Sequence, residues 1–193
     1  MRDIWIIRHC EPVKGAASVC LGRRDDPGLS PAGLAHACGL GERFGAFSLD
    51  NVYCSPLLRS RQTAACIGDY QVMPALIEQD YGVWDGMEWP TIKERFPALY
   101  AARARDNSLV PPDAETCAAA AVRYEQALLA TQGDCAAVVH KGALGALLCR
   151  LLDIPPARMW EISLPYGCCI RLTEQEGRLD CTKRDSPFWC DFE

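Results

Sequence analysis

The stretch Ile4-Trp5-Ile6-Ile7-Arg8-His9-Cys10-Glu11 is the part of the chain that decides its fold. It begins with three isoleucines and a tryptophan, which is typical of a short buried strand. The strand then ends on a cation beside an imidazole. In an open parallel sheet, ligands bind beyond the carboxyl ends of the strands, where Arg8 and His9 are expected. Arginine is suited to phosphate or carboxylate, and neutral histidine is a nucleophile toward phosphorus. The alternative is a strand that simply ends in polar residues.

Strands and helices alternate along the rest of the chain. Asn51–Cys54 and Asp134–His140 have the composition of buried strands, and Thr116–Leu129 is an alanine-rich helix. Ser30-Pro31 and Ser55-Pro56 each combine a capping serine with a proline, which predicts a helix start at both places. A further helix is predicted over Leu144–Leu152. The alternation predicts an α/β fold with a largely parallel sheet, and we expect a single domain over residues 1–193 because no linker or repeat interrupts it.

Composition limits the classes of partner. The formal net charge is -5 and the pI is about 5.3, which argues against a nucleic acid or an acidic membrane held by a general basic field. The apolar run at the N-terminus is too short for a signal peptide or a membrane span. We therefore expect a cytoplasmic protein with no nucleic-acid or membrane partner, in which any anion site is local.

The chain has 12 cysteines, and they are scattered. None forms a Cys-x-x-Cys pair, and histidine is too scarce for zinc-finger spacing. Several lie in apolar surroundings, where free cysteine behaves as a small hydrophobic residue. Reduced thiols in the core are therefore favoured, with a disulfide scaffold or a metal site as the alternative.

Two of the 3 histidines, His9 and His140, follow apolar strands in different halves of the chain. Each is followed by a turn and a helix, so both can converge at one edge of a sheet. The alternative is that each is a hydrogen-bonded histidine of the core. The remaining histidine, His36, falls within a helical pattern and is predicted to lie at the surface.

Four segments together resemble the histidine phosphatase superfamily, the group that includes phosphoglycerate mutase and α-ribazole phosphatase. They are Arg8-His9-Cys10-Glu11, residues 55–64 (SPLLRSRQTA), Glu78 ahead of residues 81–86 (YGVWDG), and Val138-Val139-His140-Lys141-Gly142. The resemblance covers nearly the whole chain, and the order and spacing are specific in combination. It implies a phosphoglycerate mutase-like, three-layer α/β/α sandwich with a lid-like segment at about 81–112. The similarity is greatest to the α-ribazole phosphatase and small phosphatase branch.

The resemblance also implies a role for each central residue. His9 matches the histidine that is phosphorylated, and Glu78 matches the proton donor. Arg8, Arg59 and His140 match the phosphate clamp, with His140 adding a donor if it is protonated. Arginines supply the positive charge that a metal ion would otherwise provide, so neither a metal nor a cofactor is expected.

The chain departs from the family pattern near the phosphate. Cys10 and Lys141 each replace a glycine, and Gly15 and Leu21 replace a polar phosphate contact. The residues that contact the outer oxygens of the phosphate are therefore not assigned by the resemblance. We expect a backbone amide near Gly22 to take this role, or the side chains of Lys14 and Arg23.

The resemblance favours a histidine acid phosphatase-like phosphomonoesterase of EC class 3.1.3. Its substrate would be a small phosphorylated metabolite, with α-ribazole phosphate as one candidate. A phosphoglycerate mutase-type phosphotransferase is the alternative, and an inactive phosphate-binding protein is a third class. Four aromatic side chains either stack on an aromatic leaving group or pack within the lid-like segment; they are Tyr81, Trp84, Trp89 and Phe96. The sequence makes no prediction of oligomeric state.

Overall fold

A computed structural model describes residues 1–15 and 17–181; residues 182–193 of the predicted domain lie outside it. Within this part, the strands are β1 (Arg2–Arg8), β2 (Asn51–Cys54), β3 (Tyr70–Val72), β4 (Cys135–Val139), β5 (Cys169–Gln175) and β6 (Arg178–Asp180). The α-helices are α1 (Pro31–Phe44), α2 (Leu58–Ile67), α3 (Trp89–Arg95), α4 (Pro97–Arg103), α5 (Cys117–Leu129) and α6 (Lys141–Leu151). Short 3-10 helices cover Pro74–Leu76, Gly82–Trp84 and Pro156–Glu161.

The described strands form one six-stranded sheet in the order β3-β2-β4-β1-β5-β6. The first four strands in this order are parallel, whereas β5 runs antiparallel to β1 and β6 antiparallel to β5. The largely parallel sheet predicted from the sequence is thus confirmed. In the register of β1 and β4, Arg8 lies opposite Val139. The residues that follow these two strands, His9 and His140, therefore emerge side by side at one edge.

Alternate residues of each strand face opposite layers of helices. Ile4 and Ile6 are buried against α5 and α6, whereas Trp5 and Ile7 are buried against α1 and α2. Full burial of one such isoleucine stabilises the fold by about 1.5–3 kcal/mol. The packing on both faces confirms the three-layer α/β/α sandwich.

Polar side chains cap the starts of α1 and α5, whereas the start of α2 has no side-chain cap. Ser30 caps α1, where its hydroxyl accepts from the Gly33 N–H at 2.9 Å. Thr116 caps α5 in the same way. The cap predicted at Ser55 is wrong: α2 begins at Leu58, and no side chain caps it. Ser55 lies instead at the buried end of β2, where its hydroxyl is 2.6 Å from His140 Nε2.

The segment 81–112 contains the kinked pair α3 and α4 and carries its own small core. Trp84 and Ile92 are buried together with Cys20, and partly buried aromatic residues surround them. The helix is interrupted at Phe96, ahead of Pro97, because proline cannot continue the hydrogen-bond ladder. Among the described residues, no helix has the length and apolar content needed to cross a bilayer.

Candidate active site

The carboxyl edge of β1 and β4 brings the two strand-end histidines together. The ring centroids of His9 and His140 are 5.0 Å apart, and the His9 ring also lies 5.6 Å from that of Tyr166. The backbone fixes this arrangement, because the His9 N–H donates to the Val139 carbonyl at 3.0 Å. Both histidines are buried.

His9 has the tautomer and charge state that a nucleophile needs. Its Nδ1 lies 2.7 Å from the carbonyl oxygen of Cys10, which can only accept a hydrogen bond. Nδ1 therefore carries the proton, and Nε2 keeps its lone pair. Burial, and then the charges of Arg59 and Arg8, lower the pKa of His9 well below its usual value, although the Cys10 carbonyl raises it. The ring is neutral at pH 7.

Two buried guanidinium groups belong to the same site. Arg8 stacks on the ring of Tyr166, 3.8 Å from its centroid, and donates to the Leu164 carbonyl. Arg59 is 1% exposed and donates to the Gly22 carbonyl at 2.8 Å. These contacts fix both side chains before any anion binds, so they are pre-organised donors.

His140 is the third group of the predicted phosphate clamp. Burial, and then the charges of His9 and Arg59, lower the pKa of His140 well below its usual value. At pH 7 its ring therefore carries one N–H rather than two, and the protonated donor considered in the sequence analysis is disfavoured. Its Nε2 is engaged by Ser55, and its Nδ1 has no partner.

Five buried side-chain polar atoms within the described residues lack a hydrogen-bond partner. Three of them belong to the predicted clamp: Arg8 Nε, Arg59 Nε and His140 Nδ1. The other two are Gln79 Oε1 and Trp84 Nε1. Buried polar atoms are nearly always paired in folded proteins, so the unpaired N–H donors of Arg8 and Arg59, with an unpaired nitrogen of His140, indicate a site built for an anionic ligand.

Glu78 is buried at the amino end of α6. Its carboxylate accepts from the backbone N–H groups of Gln79 at 2.7 Å, Ala143 at 2.9 Å and Gly142 at 3.1 Å. A carboxylate is stabilised at this end of a helix by the helix dipole and by the free amides. This contact explains why α6 begins at Lys141 rather than at the predicted Leu144. Position 142 requires glycine, because a Cβ there would overlap the Tyr81 hydroxyl.

A salt-bridge network that was not predicted from the sequence holds the backbone at Ile77 and Glu78. Glu115 accepts from Arg123 Nε at 2.8 Å and Nη2 at 2.7 Å, and from Arg23 Nη2 at 2.7 Å. Arg23 Nε in turn donates to the Glu78 carbonyl at 2.6 Å. Arg123 also donates to the carbonyl of Ile77, the residue before Glu78. No local pattern marks these residues, because the network joins three distant parts of the chain.

The groups proposed for the outer phosphate contacts already have protein partners. The Gly22 and Arg23 amides donate to the carboxylate of Asp85, at 3.0 Å and 2.7 Å. The side chain of Arg23 is committed to the network around Glu115, and Lys14 pairs with Asp25 at 2.9 Å. The structure therefore brings Arg8, His9, Arg59, His140 and Glu78 together. Gly22 and Arg23 contact this group through Arg59 and Glu78, but their amides are bonded to Asp85.

A cavity of about 310 Å³ opens beside the histidines. Four of its lining residues are titratable members or neighbours of the site: Arg8, His9, Glu78 and Lys141. The others are Cys20, Leu21, Tyr81, Trp89, Arg103, Asn107, Gly142, Gly145, Met159, Trp160, Ile162, Leu164 and Tyr166. The four aromatic residues singled out from the sequence thus divide: Tyr81 and Trp89 line the cavity, whereas Trp84 and Phe96 pack with each other at 6.2 Å between ring centroids.

The cysteines within the described residues are not joined in disulfides, which agrees with the reduced thiols favoured by the sequence. Cys190 lies outside the described part. Most of the described thiols are buried, and burial raises the pKa of Cys10, next to the nucleophile, to about 12. No group of three or more His, Cys, Asp or Glu side chains in residues 1–15 and 17–181 is arranged to hold a metal ion.

The sequence is similar to that of proteins of one known family. Residues 4–186 match the model of the histidine phosphatase superfamily, branch 1. An adenosylcobalamin/alpha-ribazole phosphatase from Salmonella typhimurium is 29% identical over 185 residues, covering 90% of this chain and 91% of the relative.

Two solved structures show the same fold. Bacillus stearothermophilus YhfR superposes with a TM-score of 0.85 at 21% identity, covering 95% of this chain and 96% of that one. A mycobacterial glucosyl-3-phosphoglycerate phosphatase superposes with a TM-score of 0.80 at 23% identity, covering 93% and 97%. With the family model matching nearly the whole chain, the protein belongs to the histidine phosphatase superfamily and is a phosphomonoesterase.

Proposed function

We propose that the protein hydrolyses the phosphate monoester of a small metabolite through a phosphohistidine at His9. The observation that carries the proposal is the set of three unpaired buried atoms on Arg8, Arg59 and His140, close to a neutral nucleophile. A phosphoryl group has three non-bridging oxygens, each an acceptor. Two arginines offset its negative charge as it develops in the transition state.

The cycle starts with Glu78 in its carboxylic acid form, and Nε2 of His9 attacks phosphorus in line with the leaving oxygen. The N–P bond forms, the P–O bond to the alcohol breaks, and Glu78 gives its proton to the departing oxygen and becomes a carboxylate. In the second step, water attacks phosphorus, the N–P bond breaks, and Glu78 takes the proton from that water. The products are the alcohol and inorganic phosphate, and both His9 and Glu78 return to their starting states.

This scheme assigns no step to a metal or a cofactor. Arg8 and Arg59 supply the positive charge, and the network around Glu115 holds Glu78 in place. We further propose that residues 81–112 act as a lid over the leaving group. Tyr81, Trp89 and Arg103 from this segment line the cavity, which supports that role.

Hydrolysis is favoured over the mutase reaction. A mutase must retain a bisphosphorylated intermediate in a closed site, whereas the relative that matches 90% of this chain is named a phosphatase. The curated relative named adenosylcobalamin/alpha-ribazole phosphatase supports a small metabolite phosphate as substrate, with α-ribazole phosphate as one candidate. Location in the cytoplasm is part of the same proposal.

Hydrolysis of p-nitrophenyl phosphate in the presence of EDTA tests the reaction type. We expect turnover that EDTA does not reduce and that His9→Ala abolishes. Assays with phosphoglycerates test the alternative: phosphoryl transfer between them without net phosphate release would indicate a mutase. Failure of both reactions in a folded protein would indicate a binding protein and would overturn the proposal.

A further inference from the structure

Lys141 is a cation in the cavity that the proposed reaction does not use. It follows His140 directly, begins α6 and lines the cavity with an exposed side chain. A cation at the amino end of a helix is unfavourable toward the helix dipole, and a lysine at this position therefore has a cost that a bound anion would offset.

No carboxylate in the described part of the chain forms an ion pair with Lys141. Glu78, the nearest candidate in the cavity, already accepts three backbone hydrogen bonds. Burial, followed by the charge of Arg8, lowers the pKa of Lys141. The ammonium group of Lys141 therefore has no ion-pair partner among the described residues, although the charge of Glu78 acts in the opposite direction to that of Arg8.

More cationic than anionic side chains line the cavity. Among its described lining residues, Arg8, Arg103 and Lys141 are cations, and Glu78 is the one carboxylate. Arg8 and the neighbouring Arg59 match the charge of a phosphoryl dianion. Arg103 donates to the backbone carbonyls of Asn107 and Leu109 rather than to a carboxylate. Arg103 and Lys141 are thus cations of the cavity that form no ion pair within the described residues, whereas Arg59 has one with Asp26 at 3.6 Å.

The wall near these charges is apolar. Met159, Trp160, Ile162 and Leu164 line the cavity together with Lys141. Lys141 is exposed and Trp160 is 64% exposed, so this part of the cavity is open to solvent. The ammonium group can therefore be reached by an anionic group on the part of a substrate that extends beyond the phosphoryl group.

We propose that Lys141 binds a second anionic group, a carboxylate or a second phosphate, on the leaving-group part of the substrate. Lys141 is then a specificity-determining residue that directs the enzyme toward phosphorylated acids or bisphosphates. Phosphate esters of neutral alcohols, nucleosides included, are poorer substrates. The inference rests on the proposed phosphatase activity and narrows its substrate class.

Matched substrate pairs test the proposal. 3-Phosphoglycerate and glycerol 3-phosphate differ by a carboxylate in place of a hydroxymethyl group, and glucose 1,6-bisphosphate and glucose 1-phosphate differ by the second phosphate. We expect the wild-type kcat/KM to be higher for the anionic member of at least one pair by about tenfold or more, the size of one hydrogen bond to a charged group. The pair that shows this preference identifies the anion.

Lys141→Met should bring that ratio close to one, chiefly through KM, and Lys141→Arg should restore most of it. Lys93→Met, which removes an exposed lysine of α3 that does not line the cavity, is the matched control and should keep the wild-type ratio. Absence of any preference in the wild type would overturn the inference, as would an equal loss on both members of each pair in Lys141→Met. Turnover of p-nitrophenyl phosphate by the wild type separates these outcomes from failure of the proposed function itself.

Discussion

The Glu78 carboxylate lies 2.9 Å from the backbone N–H of Ala143, which attaches the proposed proton donor to the first turn of α6. The same helix begins directly after His140. The proton donor and one member of the phosphate clamp are therefore positioned by a single rigid element. Pre-organisation of this kind means that little rearrangement is needed when the phosphoryl group is transferred.

Replacement of Glu78 by glutamine should affect substrates according to their leaving group. An alkoxide leaves poorly without a proton, whereas p-nitrophenolate leaves readily. In single-turnover experiments we expect phosphoenzyme formation from an alkyl phosphate to fall by about 100-fold or more and formation from p-nitrophenyl phosphate to fall only slightly. Asp80→Asn and Asp85→Asn are the controls, since both acids lie nearby in sequence. An equal loss on both substrates would point to a positioning role for Glu78 instead.

Arg59 and Arg61 form a matched pair on α2. Arg59 is buried in the site, whereas Arg61, two positions along, is exposed on another face. Arg59→Ala should lower kcat/KM by about 100-fold or more, as expected on removal of a pre-organised donor to the transition state. It should also abolish the rise in melting temperature that inorganic phosphate gives the wild type. Similar losses in Arg61→Ala would show that the wrong arginine has been assigned to the clamp.

The pH dependence of activity should reflect the lowered pKa of His9. The ordinary pKa of histidine is about 6.5. Since the His9 ring is already neutral at pH 7, its protonation should not lower kcat/KM for p-nitrophenyl phosphate as the pH falls from about 8 to about 6.5. The acid limb should lie well below that value once the rates are corrected for the monoanion and dianion of the substrate. An acid limb centred at the ordinary value would contradict the buried, neutral nucleophile.

Stability should depend on pH through the same two histidines. Folding lowers the pKa of His9 and of His140, so the unfolded chain binds more protons than the folded chain below the ordinary pKa. Their contribution is fully present above about pH 6.5 and is lost as the pH falls below it, at up to about 1.4 kcal/mol per pH unit for each histidine. Urea unfolding from pH 8 downward measures this slope, and His140→Gln should reduce it by about half. A slope unaffected by His140→Gln would show that other groups cause the dependence.

Glu115 should matter far more than an exposed carboxylate in an ion pair. Glu115→Gln weakens the hydrogen bonds from Arg123 and Arg23 that hold the backbone around Glu78, and we expect a loss of about 1–3 kcal/mol in the free energy of unfolding. The alkyl-phosphate rate should fall as well, because Glu78 is less well positioned. The control is Glu125→Gln, which removes a surface pair with Arg150 and should cost at most about 1 kcal/mol. Equal losses in the two variants would show that the network adds no positioning.

The sequence predicted the features that depend on local patterns. The apolar runs before His9 and His140 identified two neighbouring strands, and their shared edge followed from the geometry of parallel sheets. The alanine-rich helix also followed from composition, although Thr116, predicted as its first residue, is its cap. The family resemblance, rather than periodicity, pointed to Glu78.

The features that the sequence did not predict depend on contacts between distant segments. The Ser55 hydroxyl bonds to His140 instead of capping α2, and Asp85 takes the backbone amides of Gly22 and Arg23. Glu115 is held by arginines from two other segments. A carboxylate or hydroxyl has several possible donors along the chain, and only the tertiary fold decides which of them it meets.

Trapping the phosphoenzyme tests the central claim most directly. The protein is mixed with labelled substrate, quenched in base within one turnover and mapped by mass spectrometry, with His9→Ala and the surface variant His36→Ala treated in parallel. We predict a base-stable, acid-labile phosphate on His9 in the wild type and in His36→Ala, and none in His9→Ala, which should also lack turnover. Full turnover by His9→Ala, or a phosphate that remains on the protein in acid, would contradict the account.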